Sequence, residues 1–257
     1  MRSVWLGLGL VGCGGSADVE GLQEDLEDLQ DEVSALTAQL ADAETTIASY
    51  ESRLSSLESS TDDLSSLASV LTVSGGDVVI SGANLYIQSG SGASTGDING
   101  KGNLIIGYDE DNGDDKSGSH NLIVGPYHSY TSFSGVALGQ DHELSGPMAT
   151  ISGGIENVAS GSYAAIGGGS GNVADGYCSH IGGGEGNTAG GQYSAVVGGG
   201  SNVAEGLSSA VVGGRSNTAS GEYASVSAGY SNVASGDYAS VYGSSGLSAS
   251  DSYDVQP

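Results

Sequence analysis

The chain has 257 residues, 46 of them Gly, with a single Trp and a single Phe, which leaves few large apolar side chains for a globular core of that length. Thirty-one acidic residues against five basic ones give a net charge of −26; a surface of that sign repels phosphate backbones and excludes nucleic acid as a partner. Acid-rich chains are often disordered, but two strict periodicities argue for order over most of the length.

The first residues, MRSVWLGLGLVGCGGS, carry one positive charge, then an apolar run from Val4 to Val11, then small residues. This is the layout of an export signal over residues 1–12. The segment Leu10, Val11, Gly12, Cys13 resembles the lipobox of bacterial lipoproteins. That resemblance implies lipidation of Cys13, with 13–17 as the linker to the anchor; the alternative is an ordinary cleaved signal. With Cys13 lipidated, Cys178 has no thiol left to pair with inside the chain. No run reaches the roughly 20 apolar residues of a membrane-spanning helix.

From residue 18 to 71 the period is seven. Val19, Leu26, Val33, Leu40, Ile47 and Leu54 form one series, and Leu22, Leu29, Leu36, Ala43, Tyr50, Leu57, Leu64 and Leu71 the other. Apolar residues at both heptad positions, with no Gly or Pro after Gly21 until Gly75, predict a coiled coil. Arg53 and Glu58 fall at g and the following e, the spacing at which parallel chains exchange ion pairs. The segment therefore reads as a parallel, self-associating stalk of about 80 Å at about 1.5 Å per residue.

Gly75 and Gly76 are expected to end that helix. Residues 77–126 read as irregular β coils, with short strands at Val78 to Ile80, Leu85 to Ile87, Leu104 to Ile106 and Leu122 to Val124. GNLIIG and HNLIVG, eighteen residues apart, look like longer coils of one stack. Between them the acidic run YDEDNGDDK, with Asp109, Glu110, Asp111, Asp114 and Asp115, offers oxygens for a hard cation but lacks the twelve-residue calcium-loop pattern. It reads as a solvated loop, and no metal is expected there.

Residues 127–246 repeat every fifteen. Asn157, Asn172, Asn187, Asn202, Asn217 and Asn232 mark position one of each unit; Ala follows at position three, Gly at five and Ile or Val at ten. Position seven carries Tyr163, Tyr193, Tyr223 and Tyr238, with Cys178 and Ser208 in the intervening units. A degenerate unit precedes them, with His142, Gly146 and Ile151 in the Asn, Gly and β-branched places. Such self-similarity indicates stacked coils that cannot fold singly. Two strands per coil are expected, one around position two and one over seven to eleven, apolar on both faces and so buried on both. The asparagines form either a column of stacked amides or a left-handed turn, structural in both cases. The tyrosines form either a contact strip or a stack within the array. Residues 247–257 read as a flexible tail.

Units such as NTASGEYASVSAGYSNVASG (217–236) resemble the YadA-like head repeats of trimeric autotransporter adhesins. The resemblance covers 127–246 well and 77–126 loosely, with a unit slightly longer than the family's and an order of anchor, stalk, head. It implies a homotrimer with a parallel β-roll head on a coiled-coil stalk. The fold class expected is thus an N-terminal α coiled coil followed by an all-β parallel β-roll or solenoid of 15-residue repeats. The expected function is attachment to a host or environmental surface ligand, from an exported, lipid-anchored position at the cell surface or outer membrane. The alternative is a passive structural spacer of the envelope without a specific ligand. No catalytic residue, cofactor or enzymatic role is expected, because His120, His128, His142 and His180 stand in no recognisable constellation with a nucleophile or carboxylate. Cys178 and His180 are expected on one strand face, where three copies in a trimer would offer a metal site; both also read as plain substitutions at variable positions, and no metal is expected.

Overall fold

The computed structural model describes residues 17–257; the expected signal, Cys13 and its lipid lie outside them. The chain divides into two units, the first ending at Leu85 and the second running from Tyr86 to Pro257.

The first unit holds one helix, α1 (Ala17–Val70), of 54 residues. Its only glycine is Gly21 and it contains no proline, so propensity does not interrupt it. The hydroxyls of Ser34, Thr37, Thr45, Thr46, Ser56, Ser60 and Thr61 each donate to the carbonyl four residues back, which satisfies them without competing for the helix's own N–H groups. Arg53 lies 5.8 Å from the ring centre of Tyr50. Both heptad series are solvent-facing: Leu26, Leu29, Leu36, Leu40 and Leu57 are each more than half exposed.

The helix ends earlier than its heptads suggest. Leu71, expected as the last d residue, starts strand β1 (Leu71–Ser74), which pairs antiparallel with β2 (Asp77–Ile80). Gly75 and Gly76, with φ of 62° and 93°, are the two central residues of that hairpin rather than the helix cap. Two consecutive positive φ angles make the primed turn whose twist suits a hairpin, and β-branched Thr72, Val73, Val78, Val79 and Ile80 on either side favour pairing over another helical turn.

The second unit is a parallel β-solenoid. An eleven-stranded sheet and a nine-stranded sheet, both parallel, run along it, and a third line of single bridges passes through Ile155, Ser170, Glu185, Gly200, Arg215, Tyr230 and Ser245. Leu104–Ile106 pairs with Leu122–Val124 in the expected eighteen-residue coil, whereas Leu85–Ile87 forms no strand. Coil length then changes: Leu122 pairs with Val136 and Val136 with Thr150, steps of 14, before the steps of 15 begin at Thr150 and Ala165. The stretch expected as a tail is a further coil, because Ser248–Ala249 pairs with Val233–Ala234 and Val255–Gln256 with Ser240–Val241.

Within a coil the strands are only two residues long, at positions two and three and at nine and ten, as in Val158–Ala159 and Ala165–Ile166. The expected strand over seven to eleven is shorter because Tyr163, at position seven, has φ of 60° and belongs to a turn. Positions one, three, eight and ten point inward: Asn157, Ala159, Ala164 and Ile166 are buried, and so are their counterparts up the stack as far as Val241. Positions seven and eleven point outward, so the strand is not buried on both faces within one chain; Tyr163 and Val197 are both more than half exposed.

Close stacking explains the Gly at position five of the six coils marked by Asn157 through Asn232. A Cβ built on Gly161, Gly176 or Gly191 would overlap the carbonyl oxygen of the glycine one coil further on. Alanine there would force the coils apart and break the ladder.

Candidate functional site: the side-chain ladders

An asparagine at position one lies on the inner wall, and its backbone N–H would otherwise be an orphan donor between two short strands. The N–H of Asn172 donates to Oδ1 of Asn157 at 3.0 Å, and that of Asn187 to Oδ1 of Asn172 at 3.0 Å, in a series that ends on the N–H of Leu247. The Nδ2 of each asparagine donates to the carbonyl four residues before it and to another twelve residues after it; for Asn187 these are Gly183 at 3.0 Å and Gly199 at 3.1 Å. Of the two structural roles open to these residues, the amide column is therefore the one adopted. The left-handed angle falls one residue earlier, at Glu156, Gly171, Gly186, Ser201, Ser216 and Ser231.

Histidine fills the same place lower in the stack. Nδ1 of His142 accepts the N–H of Asn157 at 3.1 Å, and Nδ1 of His128 accepts the N–H of His142 at 3.2 Å. Their Nε2 atoms meet the carbonyls of Leu138 and Val124, four residues back, at 3.0 and 3.1 Å. An imidazole with its proton on Nε2 thus reproduces both the acceptor and the donor of an asparagine amide. The rings stack at 5.2 Å. Burial, then the neighbouring His128, pushes His142 down to about 4. His142 was legible from its spacing; His128 was not, because the coil between them is 14 residues long.

A shorter amide pair, which the sequence reading also missed, precedes the strands of the eleven-stranded sheet. The N–H of Asn121 donates to Oδ1 of Asn103 at 2.8 Å, and that of Gly135 to Oδ1 of Asn121 at 2.8 Å. Its signal was the shared Asn of GNLIIG and HNLIVG.

The tyrosines face solvent. The N–H of Ala164 donates to the carbonyl of Gly161 at 3.0 Å, closing a tight turn with Tyr163 in its third place. Positive φ there is the type II pattern, which glycine or asparagine normally fills; Tyr163, Tyr193, Tyr223, Tyr238 and Tyr253 all adopt it, with φ between 56° and 65°. They stack in two ladders. Tyr223, Tyr238 and Tyr253 lie face to face with centres 4.9 Å apart. Tyr163 and Tyr193 are bridged edge-on by Tyr177 at 5.7 and 5.6 Å, which leans in where Cys178 leaves room. Tyr177 and Tyr253 were missed, the first because it sits one position out of register and the second because it falls in the stretch taken for a tail. Ser208 separates the two ladders.

The acidic run folds on itself. Lys116 Nζ lies 3.1 Å from Oδ1 of Asp109, and the hydroxyl of Tyr130 donates to Oδ2 of the same residue at 2.8 Å. Burial, reinforced by that carboxylate, raises the Tyr130 hydroxyl well above its ordinary range. The N–H groups of Gly113 and Asp114 donate to Oδ1 of Asp111 and lower its pKa. Cys178 occupies a turn and His180 an exposed strand position, so the two are not a strand-borne pair. A shallow cavity of about 460 Å³ lies beside the 86–94 loop, where Nε2 of His120 accepts the N–H of Ser89 at 3.1 Å. No protein-family model matches the chain, and no curated protein matches it in sequence.

Proposed function

We propose that this protein is an adhesin-like surface protein, in which a YadA-like β-roll head is carried by a coiled-coil stalk of three parallel chains anchored through lipidated Cys13. The observation that supports it best is the exposed tyrosine array. Tyrosine offers apolar area and a hydroxyl at little entropic cost, and here it recurs at fixed intervals on a rigid support. Weak contacts repeated along each chain and across three chains sum to strong attachment. The heptads support parallel self-association; the number three rests on the resemblance to trimeric autotransporter adhesins. The role is binding rather than catalysis.

The spacer reading also has an observation in its favour. The tyrosine rings use their faces on each other, which gives them a structural purpose without any ligand.

Beads coated with the full chain should attach to cells or matrix-coated surfaces. Replacing Tyr163, Tyr193, Tyr223 and Tyr238 by Ser should cut attachment by about tenfold or more while leaving the β circular dichroism in place. Attachment that equals uncoated beads, or that survives both the tyrosine variant and deletion of 127–246, would leave the spacer as the better account.

A further inference from the structure

Each coil receives the next through three kinds of contact. The first is room: a Cβ on Gly206, Gly221 or Gly236 would overlap the carbonyl oxygen one coil further on, and the same holds for the left-handed Gly199, Gly214 and Gly229. The second is the amide column, which needs an Oδ1 facing the next N–H. The third is an uncharged interior, small at position eight and β-branched at position ten, which are Ala or Ser and Ile or Val from Ala164 and Ile166 through Ala239 and Val241.

All three change within one coil. After Gly229 comes Ser244, which keeps a positive φ of 66° but carries a Cβ. After Gly236 comes Asp251. Leu247 donates its N–H to Asn232 at 2.9 Å yet has no oxygen to offer onward. Positions eight and ten become Asp254 and Gln256, and Nε2 of Gln256 donates to both carboxylate oxygens of Asp254 at 3.1 Å. A hydrogen-bonded polar pair thus crosses the interior where every coil beneath is apolar or small.

We infer that residues 244–256 form a terminating coil, built so that no further coil of this kind, from the same chain or a second copy, can stack on it in register. Two overlapping side chains, a missing acceptor and a carboxylate facing the incoming core act together. Open parallel edges are templates for uncontrolled pairing, and stacked-repeat proteins need a distinct end to avoid it. The terminator is independent of the adhesive reading, since it concerns only the stacking of coils.

The test adds two copies of the unit 213–227, which continues the fifteen-residue register, after Pro257 of the full chain. In the native background the added residues should be removed by protease at the rate of an unfolded segment. In a background carrying Ser244→Gly, Leu247→Asn, Asp251→Gly, Asp254→Ala and Gln256→Val they should survive about tenfold longer or more, protected with the solenoid. Equal survival in the two backgrounds, whether both are protected or both cut, would overturn the assignment. A second variant works inside the array: Gly206→Asp should expose the coils beyond it to protease while 86–205 stays protected. If those coils remain protected, an aspartate at position five of a fifteen-residue coil does not end a stack and the inference fails.

Discussion

Asn202 shows what one residue does in this fold. Its Oδ1 accepts the N–H of Asn217 at 3.0 Å, and its Nδ2 donates to the carbonyls of Gly198 and Gly214 at 3.0 Å each. Asn202→Ala keeps the volume small but strands the inward N–H of Asn217 and takes a donor from the part-buried carbonyl of Gly198, while that of Gly214 keeps the N–H of Gly200. At about 1 to 3 kcal/mol per buried unsatisfied group, the loss should be about 1 to 4 kcal/mol in chemical denaturation. An unchanged midpoint would show that the column contributes nothing. Asn202→Asp should be nearly as harmful, because a carboxylate accepts from Asn217 but cannot donate to either glycine carbonyl. The spacing of the asparagines was legible in the sequence, while the choice between amide column and turn was not. That choice depends on which neighbour takes the left-handed angle, and Glu156, Gly171 and Ser201 share no side-chain chemistry that marks them for it.

At the scale of elements, the coils around His142 should be the part of the solenoid that opens in acid. The folded-state pKa of His142, about 4, lies below its ordinary 6.5, so the unfolded chain binds the proton more readily. Its contribution is complete above pH 6.5 and is lost as pH falls toward 4; a shift of that size is worth roughly 3 kcal/mol. Protonation would also place an N–H on Nδ1, facing the N–H of Asn157. Hydrogen exchange should therefore show the coils at 122–157 opening selectively between pH 6.5 and 4, and His142→Asn should flatten that dependence. Equal pH dependence in the variant would mean that other groups carry it. The hairpin after α1 teaches a related lesson. Heptad counting carried Leu71 into the helix, but four paired residues on each side of Gly75 and Gly76 outweigh one more turn.

For the whole molecule, the heptads of α1 foretold a long helix, the repeats foretold stacked coils of short strands, and the resemblance implied that those strands run parallel. What they could not fix was which face of each short strand turns inward, because Tyr, Ala and Val occupy outward positions as readily as inward ones. The exposed leucine series along α1 gives the next prediction: residues 18–257 should sediment at three times the chain mass, and Leu29→Glu with Leu36→Glu should shift them toward one. A single folded chain at all concentrations would remove the stalk from the proposed function.

The amide column has one more effect. Each Oδ1 accepts an N–H that belongs to the following coil, so no asparagine of the series completes its bonding until its neighbour is in place. Melting one coil leaves the acceptor of the one before it unfilled, and order should therefore be lost progressively from an edge of the array rather than at scattered points.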